Sequence, residues 1–200
     1  MNDAPRRVVT VATVGPECTG KSTLAADLSE YYGAEVSAEA ARLLAEERRE
    51  VAESGTPASA LLDASDVERI ARTQVLLEAA AETRARGRGR PLVVRDTDLI
   101  STVVYARHYY GSCPPWIVTA ARERRADRYL LCDVDVPWAD DGVRDRPHAR
   151  EALFASFADA LTEFGADTVV VRGDPVARLR TAVECVDALL EKRRKAAERR

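Results

Sequence analysis

Gly15-Pro16-Glu17-Cys18-Thr19-Gly20-Lys21-Ser22 is the stretch that decides the fold of this 200-residue chain. It fits the pattern G-x-x-x-x-G-K-[ST], which is typical of a phosphate-binding loop (P-loop). The run from Val8 to Val14 before it is apolar and β-branched, as in a buried strand, whereas Leu24 and Leu28 after it recur at helical spacing. Strand, loop and helix therefore follow one another in the order that a phosphate site requires.

The loop predicts a site for a nucleoside triphosphate and Mg²⁺. Its glycines let the backbone wrap a polyphosphate so that N–H groups point inward, and the helix N-terminus adds partial positive charge. Lys21 would reach the β- and γ-phosphates, and the Ser22 hydroxyl would ligate Mg²⁺. The other two lysines of the chain lie in the C-terminal tail, so Lys21 is not a generic surface cation. The predicted nucleotide-binding residues of the loop are Gly15, Pro16, Glu17, Cys18, Thr19, Gly20, Lys21, Ser22 and Thr23.

Beyond the loop, apolar strand-like runs alternate with helical segments. The pattern predicts an α/β domain with a parallel sheet covered by helices on both faces. We expect one domain over residues 1–200, with a charged C-terminal end at 191–200 that frays. The predicted strands after the first lie near residues 35–38, 91–96, 129–132 and 168–171.

Two local patterns concern the long helix before the third strand. Ser65-Asp66-Val67-Glu68 has the form of a capping box and predicts where the helix starts. The helix runs out in the basic stretch 84–90, which we interpret as a solvated turn loosened by glycines rather than as a binding patch.

Composition narrows the classes of partner and compartment. The net charge is −3 with charges of both signs mixed along the chain, which argues against nucleic acid as the main partner. The four cysteines are scattered and there are only two histidines, so neither a zinc site nor a disulfide framework is expected. No stretch approaches the length of a membrane span and no signal peptide precedes residue 8, so a cytoplasmic protein is expected.

In a parallel α/β sheet the ligand lies beyond the carboxyl ends of the strands. That rule selects Glu39 after the second strand, Asp96 and Asp98 after the third, the arginine-rich segment 140–150 after the fourth, and Gly173 after the fifth. Phosphoryl transfer depends mainly on alignment and charge neutralisation, so acids and arginines at this edge are candidates for catalysis.

The three acids have different predicted roles. Glu39 would accept the proton of the attacking hydroxyl or hold a sugar hydroxyl, and the alternative is a carboxylate that serves a helix dipole. Asp96 would hold Mg²⁺ through a water. Asp98 points the same way if the chain stays extended, and would then bind the acceptor. For Asp96 and Asp98 the alternative is helix capping.

Arginine and glycine complete the predicted site. Arg144, like its neighbours Arg146 and Arg150, would stabilise charge on the transferring phosphoryl group. The alternative is a surface salt-bridge cluster with neighbouring aspartates. Gly173 would help to shape the adenine pocket.

At this point the sequence resembles a known family, the ribosylnicotinamide kinase domain of bifunctional NadR proteins and its stand-alone relatives. The resemblance extends over about residues 8–190. The P-W-x-D-D-G-x-R element distinguishes it from most P-loop kinases. The motifs that carry it are the loop G-P-E-C-T-G-K-S-T, S-A-E-A-A-R with Glu39 and Arg42, D-V-E-R-I-A-R-T-Q at 66–74, Asp96-Thr97-Asp98, P-W-A-D-D-G-V-R at 137–144, and Arg172-Gly173 with Arg178.

The resemblance implies a three-layer P-loop kinase fold with strand order 2-3-1-4-5. It also implies transfer of the γ-phosphate of ATP to a ribosyl hydroxyl, with nicotinamide riboside as the acceptor and a role in NAD biosynthesis. Kinase domains of this type tend to have a tryptophan at the position of Ala38, where it can stack on the nicotinamide ring, and a tyrosine at the position of Ala40. Three alternatives follow: nicotinamide riboside is held weakly, Tyr105 or Tyr109 supplies the missing ring, or the acceptor is another riboside with a bulkier base.

Other P-loop classes fit less well. A GTPase would need an Asn-Lys-x-Asp motif, and no lysine lies between Lys21 and Lys192. The chain is short for a ring-forming AAA+ motor and lacks the LSGGQ-like stretch of transporter ATPases. Two hypotheses stay open: a small-molecule kinase, or a regulatory P-loop ATPase whose conformational change is read by a protein partner. The sequence does not predict the oligomeric state.

Overall fold

A computed structural model describes residues 8–53, 62–89, 92–136 and 150–199 of the chain. Five parallel strands form one sheet in the order β2-β3-β1-β4-β5. Both the fold class and the strand order predicted above are thereby confirmed. The strands are β1 (Val9–Val14), β2 (Glu35–Ser37), β3 (Leu92–Asp96), β4 (Arg128–Cys132) and β5 (Thr168–Val171).

Helices cover both faces of the sheet and create two apolar cores. The helices are α1 (Lys21–Tyr32), α2 (Ala40–Glu53), α3 (Val67–Gly87), α4 (Leu99–Tyr110), α5 (Pro115–Glu123), α6 (Arg150–Glu163) and α7 (Pro175–Glu198). Because side chains alternate along a strand, Val9 and Val11 of β1 face the core with α1 and α7, whereas Ala12 and Val14 face the core with α3, α4, α5 and α6.

The capping box before α3 starts two residues earlier than the one predicted from the sequence. A short 3₁₀ helix, Ala64–Asp66, precedes α3, and its capping box pairs Asp63 with Asp66. Ser65 N–H donates to Asp63 Oδ1 at 2.7 Å, and Asp63 N–H donates to Asp66 Oδ2 at 2.8 Å. The prediction at Ser65 was wrong because an aspartate can fill either position of such a box.

The basic stretch at the end of α3 is more than a solvated turn. Arg84 Nε donates to Glu35 Oε2 at 2.8 Å, its Nη2 donates to the Val36 carbonyl at 3.2 Å, and Arg88 pairs with the other oxygen of Glu35. Since Glu35 is buried at the start of β2, these contacts attach the short edge strand to the helix. Sequence alone did not indicate this partner, which lies about fifty residues away.

A buried ionic cluster joins α3 to the middle of the sheet. Arg95 of β3 is 3% exposed and contacts Glu78 at 3.3 Å and Glu82 at 3.1 Å, and Arg124 after α5 contacts Glu78 at 3.3 Å. Burial outweighs the attraction of the two arginines and raises the pKa of Glu78 to about 7. The cluster fixes α3 against β3 and so positions the residues that follow β3.

The C-terminal helix is longer than expected. α7 continues to Glu198, and Arg194 pairs with Glu191 at 2.8 Å and with Glu198 at 2.6 Å. These pairs at helical spacing support the last turns of the helix. The fraying expected from residue 191 onward stays a prediction. None of the helices within the described ranges, α7 included, is long and apolar enough to cross a membrane.

Candidate active site

The P-loop follows β1 and passes close to the end of β4. Gly15 adopts φ 135°, and a Cβ on this residue would lie 2.8 Å from the Cys132 carbonyl oxygen. Only glycine permits this approach. At the other end of the loop Gly20 adopts φ 78° and accepts a hydrogen bond from Leu24 N–H at 2.9 Å, which opens α1. Both glycines therefore adopt the backbone conformations that the loop pattern requires.

Lys21 lies along the loop instead of extending into solvent. Its Nζ donates to the Pro16 carbonyl at 2.6 Å, the Thr19 hydroxyl donates to the same oxygen at 2.8 Å, and Lys21 is 5% exposed. A phosphate oxygen is an acceptor of the same kind. The ammonium group is thus already held among the backbone groups of the loop.

Asp96 lies beside the P-loop, because its strand β3 pairs with β1 and places Asp96 opposite Thr13. The Ser22 hydroxyl acts on its carboxylate, whose Oδ1 is buried with no hydrogen-bond partner within the described residues. Burial raises the pKa of Asp96, and the Ser22 hydroxyl and Lys21 oppose the rise. A serine hydroxyl beside a carboxylate with an unused oxygen matches the oxygen ligands that Mg²⁺ prefers.

Glu39 reaches the same place from β2. It immediately precedes α2, and its carbonyl accepts from Leu43 N–H at 3.3 Å, so it also sits at a helix N-terminus. Its side chain is 13% exposed, and its charge acts on the nearby Asp96 to raise the pKa of that acid. The predicted group of Lys21, Ser22, Glu39 and Asp96 is therefore brought to one edge of the sheet.

Arg42, which the sequence indicated only as part of the S-A-E-A-A-R motif and without a role, lies beside Glu39 and Ser22. It lies one helical turn after Glu39, pairs with Glu39 Oε2 at 3.4 Å, and donates to Ser22 Oγ at 3.3 Å. Its spacing of three residues from Glu39, on a helix that begins at the site, was the signal available in the sequence.

Asp98 does not point into this group. The expectation depended on an extended chain, but Thr97 between the two acids adopts φ 66° and turns the backbone. Asp98 instead caps α4, accepting from Ile100 N–H at 2.9 Å, and its other oxygen accepts from the Tyr129 hydroxyl at 2.6 Å. The side chain is fully buried, and burial raises its pKa. Of the two roles left open for Asp98, the geometry favours helix capping.

The aromatic residues of α4 contact the P-loop. The Tyr105 hydroxyl donates to the Gly15 carbonyl at 3.3 Å, the Tyr109 hydroxyl donates to Glu17 Oε1 at 3.4 Å, and the two rings stack with centroids 6.0 Å apart. They therefore border the nucleotide loop from the α4 side.

Ala38 and Ala40 are not equivalent positions. Ala38 is exposed between β2 and α2. Ala40 is 1% exposed, and its N–H donates to Gln74 Oε1 at 3.0 Å. A large side chain has room at Ala38 but not at Ala40.

The far side of the loop is built by residues after β4 and β5. Gly173 adopts φ 90°, and its N–H donates to Asp135 Oδ2 at 2.6 Å. Arg178 and Arg150 contact carbonyl groups of the P-loop. Arg144, with the rest of the P-W-A-D-D-G-V-R element, lies outside the described residues.

Comparison with known proteins agrees with this architecture. A family model described as an AAA domain matches residues 10–178. Among solved structures, a NadR protein in complex with NR is 22% identical with a TM-score of 0.65, and the similarity covers 90% of this chain and 50% of that one. The chain thus spans about half the length of that NadR protein. A search of curated proteins gave no match.

Two smaller kinases share the fold over their whole length. Thymidylate kinase from Ehrlichia chaffeensis is 17% identical with a TM-score of 0.60, covering 92% of this chain and 99% of that one. Deoxyadenosine kinase from M. mycoides with bound dCTP is 13% identical with a TM-score of 0.51, covering 90% and 100%. At these identities the likeness concerns the fold. The sheet order, the P-loop at its central strand and the matched family model together place this chain in the AAA-domain family, with the fold of P-loop kinases.

Proposed function

We propose that this protein is an ATP-dependent small-molecule kinase that transfers the γ-phosphate to a ribosyl hydroxyl. The acceptor that we propose is nicotinamide riboside, which would make nicotinamide mononucleotide in the cytoplasm as a step of NAD biosynthesis. One observation carries the proposal: Lys21, Ser22, Glu39 and Asp96 converge at the carboxyl edge of the sheet. A NadR protein is among the similar structures and supports the choice of acceptor.

In this proposal the P-loop from Gly15 to Thr23 holds the phosphates of ATP. Lys21 exchanges its contact with the Pro16 carbonyl for the β- and γ-phosphates, and Ser22 and Asp96 hold the metal. Mg²⁺ bound there would neutralise charge on the phosphates during transfer. Gly173 would border the adenine, and Arg144 would stabilise charge on the transferring group.

The acceptor would enter from the side of Glu39. This carboxylate is partly exposed, lies next to Asp96, and makes none of the capping hydrogen bonds that occupy Asp98 among the residues that the structure describes. Glu39 would orient the attacking hydroxyl and accept its proton, while Arg42 holds the carboxylate in place. Asp98 in turn fixes the start of α4 behind the site.

An ADP-release screen with ATP and Mg²⁺ tests the proposal directly. The panel would contain ribosides, deoxyribosides and nucleoside monophosphates, with nicotinamide riboside among them. Release of ADP should require an acceptor and should be lost in a folded Lys21→Ala variant, because that lysine serves the ligand. Full activity in folded Lys21→Ala would refute the assignment of the loop.

A second candidate is a regulatory ATPase that acts through a protein partner. The match of residues 10–178 to a family model described as an AAA domain is the observation behind this second candidate. The same screen separates the two functions. ADP release that is independent of every acceptor in the panel would support the regulatory ATPase.

A further inference from the structure

The carbonyl groups at the helix end of the P-loop are held from outside the loop by two arginines. Arg178 of α7 donates from Nη1 to the Thr19 carbonyl at 2.8 Å. Arg150, the first residue of α6, donates from Nη2 to the Cys18 carbonyl at 3.2 Å. The carbonyl oxygens of two successive peptide groups of the loop therefore accept hydrogen bonds from arginines.

Each of these hydrogen bonds fixes the direction of the N–H group in the same peptide. In a trans peptide the C=O and the following N–H point in opposite directions, and the described chain contains no cis peptide. Holding the Thr19 carbonyl therefore turns the Gly20 N–H to the opposite side, and holding the Cys18 carbonyl does the same for the Thr19 N–H. Inward-facing N–H groups are what a phosphate loop uses to bind its ligand. A donor on the carbonyl also polarises the peptide and strengthens its N–H as a donor.

Arg178 is buried and is held by hydrogen bonds in a single position. It is 4% exposed, and all three of its nitrogens are engaged. Nε donates to the Gly173 carbonyl at 2.8 Å, and Nη2 donates to the Asp133 carbonyl at 3.1 Å and pairs with Asp135. The planar fork thus joins the ends of β4 and β5 to the loop after β1, a span that a lysine ammonium cannot bridge.

We infer that Arg178 is a positioning residue of the nucleotide site, which sets the Thr19–Gly20 peptide so that its N–H faces the phosphates, with Arg150 doing the same for the Cys18–Thr19 peptide. The inference rests on the proposed function, since it takes the loop to bind a nucleotide. Arg178 would touch no substrate itself and would act through the backbone.

The test is the affinity for ADP with Mg²⁺, measured by calorimetry without any acceptor. Arg178→Lys keeps the charge but not the fork, and the matched control is Arg180→Ala, an exposed arginine of the same helix. We expect the dissociation constant to rise at least about tenfold in Arg178→Lys, the change that follows from weakening a charge-assisted contact. It should stay at the parent value in Arg180→Ala.

Kinetics add a readout that a purely structural residue would not move. KM for ATP should rise in folded Arg178→Lys, while KM for the acceptor stays unchanged. Parental ADP affinity in folded Arg178→Lys would overturn the inference and leave the kinase proposal standing. If the parent protein bound no ADP, both the inference on Arg178 and the kinase proposal would be wrong. If Arg178→Lys does not fold, Arg150→Ala takes its place, and parental ADP affinity in that variant would overturn the inference equally.

Discussion

Variants of Asp98 test directly whether this residue stabilises the fold or takes part in the reaction. If it only caps α4, removing its carboxylate should lower stability and leave the folded enzyme active. If it binds the acceptor, an isosteric amide should remove activity and leave stability nearly unchanged. The two roles therefore predict opposite results for the same pair of variants.

The structure sets the size of the effects. Asp98→Ala removes an N-cap, which is typically worth about 1 kcal/mol. It also leaves the buried hydroxyl of Tyr129 without its acceptor, at about 1–3 kcal/mol, so the free energy of unfolding should fall by about 2–4 kcal/mol. Asp98→Asn keeps an oxygen for the Ile100 N–H, but its amide N–H₂ cannot accept from the Tyr129 hydroxyl, whose oxygen already accepts from Ala126 N–H. Because the cap is retained, its loss of stability should be about 1–3 kcal/mol, smaller than that of Asp98→Ala.

Urea unfolding followed by turnover per folded molecule checks both quantities. Asp63→Ala is the matched control, because it removes an exposed cap with no buried hydroxyl behind it and should lose less stability than Asp98→Ala. If Asp98 only caps α4, the turnover of Asp98→Asn should stay within a few-fold of the parent value. A stable Asp98→Asn protein whose turnover is lower by more than about a hundredfold would refute it, since a loss of that size is typical of a missing acid–base group.

Three further predictions concern the site and the sheet. Glu39→Gln should reduce turnover with little change in ATP affinity, whereas Asp96→Asn should weaken the response to Mg²⁺; identical Mg²⁺ titrations in both variants and the parent would contradict this division. Ala38→Trp should raise kcat/KM for nicotinamide riboside at least several-fold, because a base–aromatic stack is worth about 1–3 kcal/mol, while Ala40→Trp should destabilise the fold through overpacking. Turnover of another acceptor but not of nicotinamide riboside, in both the parent and Ala38→Trp, would retire that substrate. Since the folded pKa of Glu78 is about 7 against an ordinary 4.5, the stability that this group contributes is complete below pH 4.5 and is lost as the pH rises to 7. The free energy of unfolding measured in urea should be up to about 3 kcal/mol lower at pH 8 than at pH 4.5 in the parent, and this difference should be absent from Glu78→Gln. Equal differences in the two proteins would show that Glu78 does not titrate as described.

The sheet and the phosphate loop were predictable because their signals are local or nearly so. The β1 run, the loop glycines and the start of α1 are contiguous in sequence, and alternation of strands with helices indicates a parallel sheet. The strand order came from the resemblance to a family. Glu39 and Asp96 followed from a rule about strand ends, which needs no knowledge of side-chain partners.

The rest depended on contacts between distant segments. No residue near Asp98 in the sequence indicates that Thr97 adopts a left-handed backbone conformation, or that the Tyr129 hydroxyl donates to the Asp98 carboxylate. Arg178 appeared in the sequence only as part of a motif. Its place between the loop and the ends of two strands required the packed structure.

The buried ionic cluster of β3 has a consequence for how the chain folds. Arg95 lies in a strand paired on both sides, with Ser37 on one neighbour and Ala12 on the other. An unpaired guanidinium is costly in that position, so the packing of α3, which brings Glu78 and Glu82, stabilises β3 between its neighbours. Strand and helix should then open and close as one cooperative unit, and their slowest-exchanging amide protons should share a single rate.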